Sequence, residues 1–94
     1  MNKYKFIADP GHGWLEVPIK ELIELGIVEK ISPYSYIKGE FAYLEEDCDA
    51  TEFAKAKGWS NKEVSDSMEL VDLNHLSDIR YYQRYNPRII NAMK

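Results

Sequence analysis

Two stretches of the chain alternate apolar and polar residues with the period of a strand and then reverse. In residues 3–18, Tyr4, Phe6 and Ala8 alternate with Lys3, Lys5 and Ile7 on the way in, and Trp14, Leu15 and Val17 lead out. Between them Pro10, Gly11 and Gly13 offer the fixed and positive φ angles of a tight reversal, so the stretch predicts a β-hairpin with Asp9 and His12 at its tip. Residues 34–46 repeat the pattern about Lys38-Gly39, with Tyr34 and Tyr36 inbound and Phe41 and Tyr43 outbound.

Helical spacing fills the gaps. Pro18 suits a first helical position, Ile19, Leu22, Ile23 and Ile27 recur behind it, and Gly26 supplies a stop. Residues 27–33 read as a connector ending in Ser32-Pro33, which discourages further helix. After the second hairpin, Asp47 or Asp49 is placed to cap a helix over residues 50–57, with Phe53, Ala54 and Ala56 inward and Gly58 as its end. Residues 59–61 read as a loop and 62–72 as a third strand region at a sheet edge. Ser77 and Asp78 cap a last helical segment through Ile79, Tyr82 and Tyr85, stopped by Asn86-Pro87. Residues 88–94 then form a frayed tail or an arm that docks on a partner. The expected fold class is α+β in two layers: an antiparallel sheet of four to five strands built from two hairpins, with short helices packed on one face.

Size changes the picture little, because 94 residues fit a single domain spanning 1–94. Composition adds that 45% of the residues are apolar, as in folded proteins, and that 13% are aromatic with seven tyrosines, a composition suited to half-buried sheet faces and wet interfaces. The formal net charge of −4 argues against a chain whose main task is gripping nucleic acid. Acids dominate residues 40–52 and bases residues 80–94. The single cysteine, Cys48, excludes an internal disulfide framework and reads as a small buried filler in a reducing cytosol. No apolar run reaches the ~20 residues of a membrane span, and neither a signal-peptide core nor a cleavage site is found near the start. The expectation is a cytoplasmic protein without membrane attachment.

Three constellations bear on chemistry. Asp9 and His12 have the donors of a metal or acid–base pair, with His75 or one of Glu45, Glu46, Asp47 and Asp49 as further members. Their spacing matches no defined metal motif, and an Asp ahead of a Pro-Gly turn more often bonds the turn backbone. No metal and no cofactor are therefore expected. The acidic run Glu45-Glu46-Asp47-Cys48-Asp49 has two readings, recognition of a basic partner and capping of the following helix. Arg80, Arg84 and Arg88 recur every four residues among Tyr81, Tyr82 and Tyr85. On one helix face they would suit phosphates, stacked bases or a protein interface, or simply pack their stems over the tyrosines. Pro10-Gly11-His12-Gly13 is no phosphate loop, since it lacks the Lys-Ser/Thr and joins two strands.

Asp9-Pro-Gly-His-Gly-Trp-Leu15 with Pro18, then Ser35-Tyr36, Tyr43-Leu44-Glu45-Glu46-Asp47-Cys48-Asp49-Ala50, and Ile79-Arg80-Tyr81-Tyr82 with Tyr85, resembles a group of small bacteriophage and mobile-element proteins that open with an Asp-Pro-Gly-His-Gly-Trp motif. The resemblance brings no activity with it. It implies a phage-encoded accessory protein in the host cytoplasm, of the kind that acts on host machinery or host defence. Two functional expectations stand foremost, neither enzymatic, and a metal-dependent hydrolase using Asp9, His12 and His75 ranks behind them. One is a binder and inhibitor of a host protein, working through the Tyr/Arg segment at Arg80, Tyr82, Arg84 and Tyr85 and the acidic loop at Glu45, Glu46 and Asp47. The other is a small-ligand binder, with Asp9, His12, Trp14, Arg80 and Arg84 around a pocket for a nucleotide or other anion.

Overall fold

Both hairpins form where the alternation puts them. The computed structural model describes residues 4–93, so Lys3 of the first hairpin and Lys94 of the tail lie outside the described residues. Strands β1 (Tyr4–Ala8) and β2 (Gly13–Pro18) pair antiparallel with Phe6 opposite Leu15 and Ala8 opposite Gly13. Strands β3 (Tyr36–Lys38) and β4 (Phe41–Glu45) join through the two-residue turn Gly39-Glu40, and β4 docks beside β2 with Leu44 opposite Leu15. A further strand completes each edge. β5 (Met68–Asp72) runs parallel to β1, and the two-residue β6 (Gln83–Arg84) pairs with β3, giving six strands in the order β5-β1-β2-β4-β3-β6. The count exceeds the expected four to five because β6 is too short to leave a periodic signal.

Alternation sends successive side chains to opposite faces of this sheet. Leu15, Val17, Ala42 and Leu44 face a layer made by α1 (Ile19–Glu24), α2 (Asp49–Lys57) and α4 (Pro87–Met93), which contribute Leu22, Phe53 and Ile90 to one fully buried cluster. Each of the larger of these side chains contributes roughly 1.5–3 kcal/mol by leaving water. Gly26 and Gly58 close α1 and α2 in the left-handed conformation, at φ of 69° and 73°. The amides that follow fold back, Ile27 donating to the Leu22 carbonyl and Trp59 to that of Ala54.

Several expected boundaries move. Pro18 ends β2 and caps α1 one residue ahead of the helix. Residues 61–66 are a helix, α3 (Asn61–Asp66), and only 68–72 of the expected strand region is a strand. The cause is a capping box: Ser60 Oγ accepts from the Glu63 amide at 3.2 Å and Glu63 Oε1 accepts from the Ser60 amide at 3.0 Å. Nor is 79–85 a helix. Ser77 Oγ accepts from the Ile79 amide and starts a single 3₁₀ turn (Asp78–Tyr81), after which the chain extends into β6. Residues 88–94, read as a tail, instead belong to α4 as far as Met93, with Ile90 fully buried. Pro87, taken as a stop, is the first residue of that helix, where its missing N–H costs nothing.

Candidate functional site

The opposite face of the sheet carries Ile7 from β1, Trp14 and Glu16 from β2, Tyr43 and Glu45 from β4, Tyr36 from β3 and Arg84 from β6, as the registers require. No helix covers it. The 3₁₀ turn at residues 78–81 lies over its middle, burying Ile79 against Trp14 and Tyr43, and leaves one end open.

Asp9 fixes that covering segment. Its carboxylate takes five hydrogen bonds, from the Gly11 and His12 amides at 2.9 Å, from the Ser77 amide at 2.9 Å, and from Arg80 Nε and Nη2 at 3.0 and 2.8 Å. The side chain is fully buried. Arg80 above all, and then the backbone amides, hold the carboxyl well below the usual carboxylate range against the opposing effect of burial. Asp9 therefore ties the hairpin tip to residues 77–80 and fixes Arg80 in place. Gly11 and Gly13 have no positive φ, contrary to expectation. Gly13 is required by space: a Cβ there would lie 2.7 Å from the Phe6 ring.

Between the hairpin tip, the 3₁₀ turn and the β3 and β4 strands lies a cleft of about 510 Å³. Two stacked pairs form its walls. The Arg80 guanidinium sits 5.5 Å from the Trp14 ring centre, and that of Arg84 sits 5.7 Å from Tyr36. Trp14 and Tyr36 meet edge to face at 6.4 Å, and the His12 ring lies 6.0 Å from Trp14. Tyr34, 71% exposed, stands at the rim, while Glu45, Asp47 and Cys48 form the remaining side.

Charge is unevenly compensated there. Arg80 is committed to Asp9, whereas Arg84 pairs with no carboxylate among the described residues and donates only to the Pro33 carbonyl at 3.1 Å. Glu45 accepts from the Asp47 and Cys48 amides at 2.9 and 3.2 Å, so it shapes the acidic loop. Asp47 is exposed, and its carboxylate accepts no hydrogen bond among the described residues.

A buried carboxylate underlies the rim. Asp49 does not cap α2. It accepts from the Ser32 amide, from Ser32 Oγ at 2.6 Å and from Ser35 Oγ, and Ser35 Oγ in turn accepts from the Glu45 amide at 2.9 Å. This network sets the path of residues 32–35 and so the position of Tyr34.

Of the residues expected at a site, His12, Trp14, Glu45, Asp47, Arg80 and Arg84 converge on the cleft, and Asp9 supports it from behind. Three do not join. Tyr85 is buried in the helix-side core, its hydroxyl donating to the Val28 carbonyl at 2.6 Å and its pKa raised by that burial. Tyr82 packs against Tyr43 at 5.2 Å beneath the Lys38 ammonium, away from the cleft. Glu46 turns to the helix side, beside Gly13 and Phe6. Arg88 lies on α4, so the three arginines share no helical face. Cys48, expected to be buried, is exposed. Tyr34, Tyr36 and Cys48 are the lining residues missed in advance, and for the two tyrosines the signal was the alternation already used for the hairpin. No group of three or more His, Cys, Asp or Glu suited to a metal occurs among the described residues, and no described helix is long and apolar enough to cross a membrane. Comparison with models of protein families, with curated proteins and with solved structures returns no match.

Proposed function

We propose that the cleft binds a small planar molecule bearing an anionic group, a nucleotide being the class that suits it. The observation that carries this reading is the meeting of two arginine–aromatic stacks, Arg80 on Trp14 and Arg84 on Tyr36, in one cavity of ligand size. Aromatic faces receive a flat ring, and a guanidinium with unused N–H groups receives an oxyanion. His12 adds a further donor at the same wall. The test is a thermal-shift series with nucleoside mono- and triphosphates. A bound nucleotide at 100 times its dissociation constant adds about 2.7 kcal/mol of stability, and Arg84→Ala should lose that gain while keeping its own melting temperature. No shift with any nucleotide would sink the reading.

A second reading, binding of a host protein by a phage accessory factor, draws support from Tyr34 and Tyr81, which are 71% and 83% exposed. Exposed tyrosines are frequent anchors at protein interfaces. Affinity capture from a bacterial host lysate should then recover one stoichiometric protein that Tyr34→Ala and Tyr81→Ala release. Recovery of none would remove it.

A further inference from the structure

Resting on the nucleotide reading, we infer that the ligand is a nucleoside monophosphate with a guanine base. Three features of the cleft narrow the class. The first is the supply of positive charge. Arg80 is neutralised by the buried Asp9, which leaves Arg84 as the one arginine of the cleft without a carboxylate partner among the described residues. Glu45 and Asp47 line the same cavity. One phosphate group finds a partner in Arg84; each added phosphate brings further negative charge toward two carboxylates with no new cation to meet it. This wall therefore selects against di- and triphosphates.

The second feature is the aromatic surface. Trp14 is buried beneath Arg80, and Arg84 lies over the half-buried Tyr36, so the ring left open for stacking is that of the rim residue Tyr34. Tyr34 follows a loop pinned by Asp49, Ser32 and Ser35, which gives the rim a defined place before any ligand arrives.

The third feature is the free acceptor. Both oxygens of Glu45 are engaged by backbone amides, while those of Asp47 are engaged by none among the described residues. A carboxylate offers two parallel acceptors. Guanine presents two adjacent N–H donors on one edge, the ring N1–H and the exocyclic amine, and so matches a carboxylate in bidentate fashion. Adenine and cytosine set a donor beside an acceptor, and uracil sets one donor between acceptors. A lone carboxylate lining the same cleft as an exposed aromatic ring thus favours guanine.

The experiment is isothermal titration of the full chain with GMP, IMP, AMP and GTP at low salt, followed by GMP and IMP with Asp47→Asn. GMP should bind, with IMP, which lacks the exocyclic amine, at least about tenfold weaker and GTP no tighter than GMP. Asp47 is exposed, so the Asn variant should fold as the wild type does and lose the preference for GMP over IMP. GTP tighter than GMP, equal binding of GMP and IMP, or an Asp47→Asn variant that keeps the preference would overturn this inference and leave the nucleotide reading standing. Absence of binding by all four would overturn both.

Discussion

Asp9 shows how much a single side chain decides here. Its five donors include two amides of its own turn and three groups from residues 77–80, so removing it leaves the buried Ser77 N–H, the two turn amides and a guanidinium without this partner. Asp9→Ala is expected to lower the unfolding free energy by about 2–4 kcal/mol in urea titration at neutral pH. The sign of the pH effect follows from a folded-state carboxyl held far below its unfolded value. The stabilisation is complete above the unfolded pKa of about 4 and is lost as pH falls below it, so wild-type stability should drop in that acid range and Asp9→Asn should flatten the drop. A wild-type profile that is level from pH 5 to pH 2 would contradict this. The neighbouring glycines are both crowded. Gly13→Ala meets the Phe6 ring at 2.7 Å and Gly11→Ala meets Arg80 Nη2, which Asp9 holds in place, at 2.9 Å, so each should cost about 1–3 kcal/mol in the same titration. The role of Asp9 in fixing its turn was legible beforehand, because an Asp before Pro-Gly commonly bonds the following amides. Its grip on Arg80, 71 residues away, has no local signal.

Whole elements were readable where a repeat ran long enough. Both hairpins and the α1 and α2 helices follow from alternation, helical spacing and a terminal glycine. Three elements were misread for separate reasons. The α3 helix buries none of its residues, so it has no apolar stripe and only the Ser60/Glu63 capping box marks it. The Ile79–Tyr82–Tyr85 spacing imitates a helix, yet Ile79 and Tyr85 enter opposite cores, one on each face of the sheet. Pro87 can end one helix or begin another, and the buried Ile90 shows which occurs. These assignments predict unequal costs. Ser60→Ala should lose about 1 kcal/mol, the worth of a cap, and Ile90→Ala about 2–5 kcal/mol, the cost of a core cavity. Chemical denaturation of the two variants checks both, and an Ile90→Ala protein as stable as wild type would place α4 outside the core.

At the scale of the whole molecule the sheet divides its labour. One face is sealed by helices and holds the larger apolar cluster, while the other is only partly covered, by a short turn, and keeps its aromatic and charged residues near solvent. The α+β class was legible because hairpins with one apolar face need helical cover. The cleft was legible in part: His12, Trp14, Arg80 and Arg84 were named from the sequence, but the partners that hold them, Asp9 for Arg80 and Tyr36 for Arg84, depend on strand order and register. The most direct test of a ligand cleft on this open face is a residue-resolved titration of ¹⁵N-labelled protein with GMP. The account predicts saturable shifts of the Trp14 indole, of the His12, Asp47 and Cys48 amides and of the Arg84 side chain, with the Trp59 indole on the helix side unmoved. Shifts confined to Trp59 and its neighbours, or none at millimolar nucleotide, would contradict it.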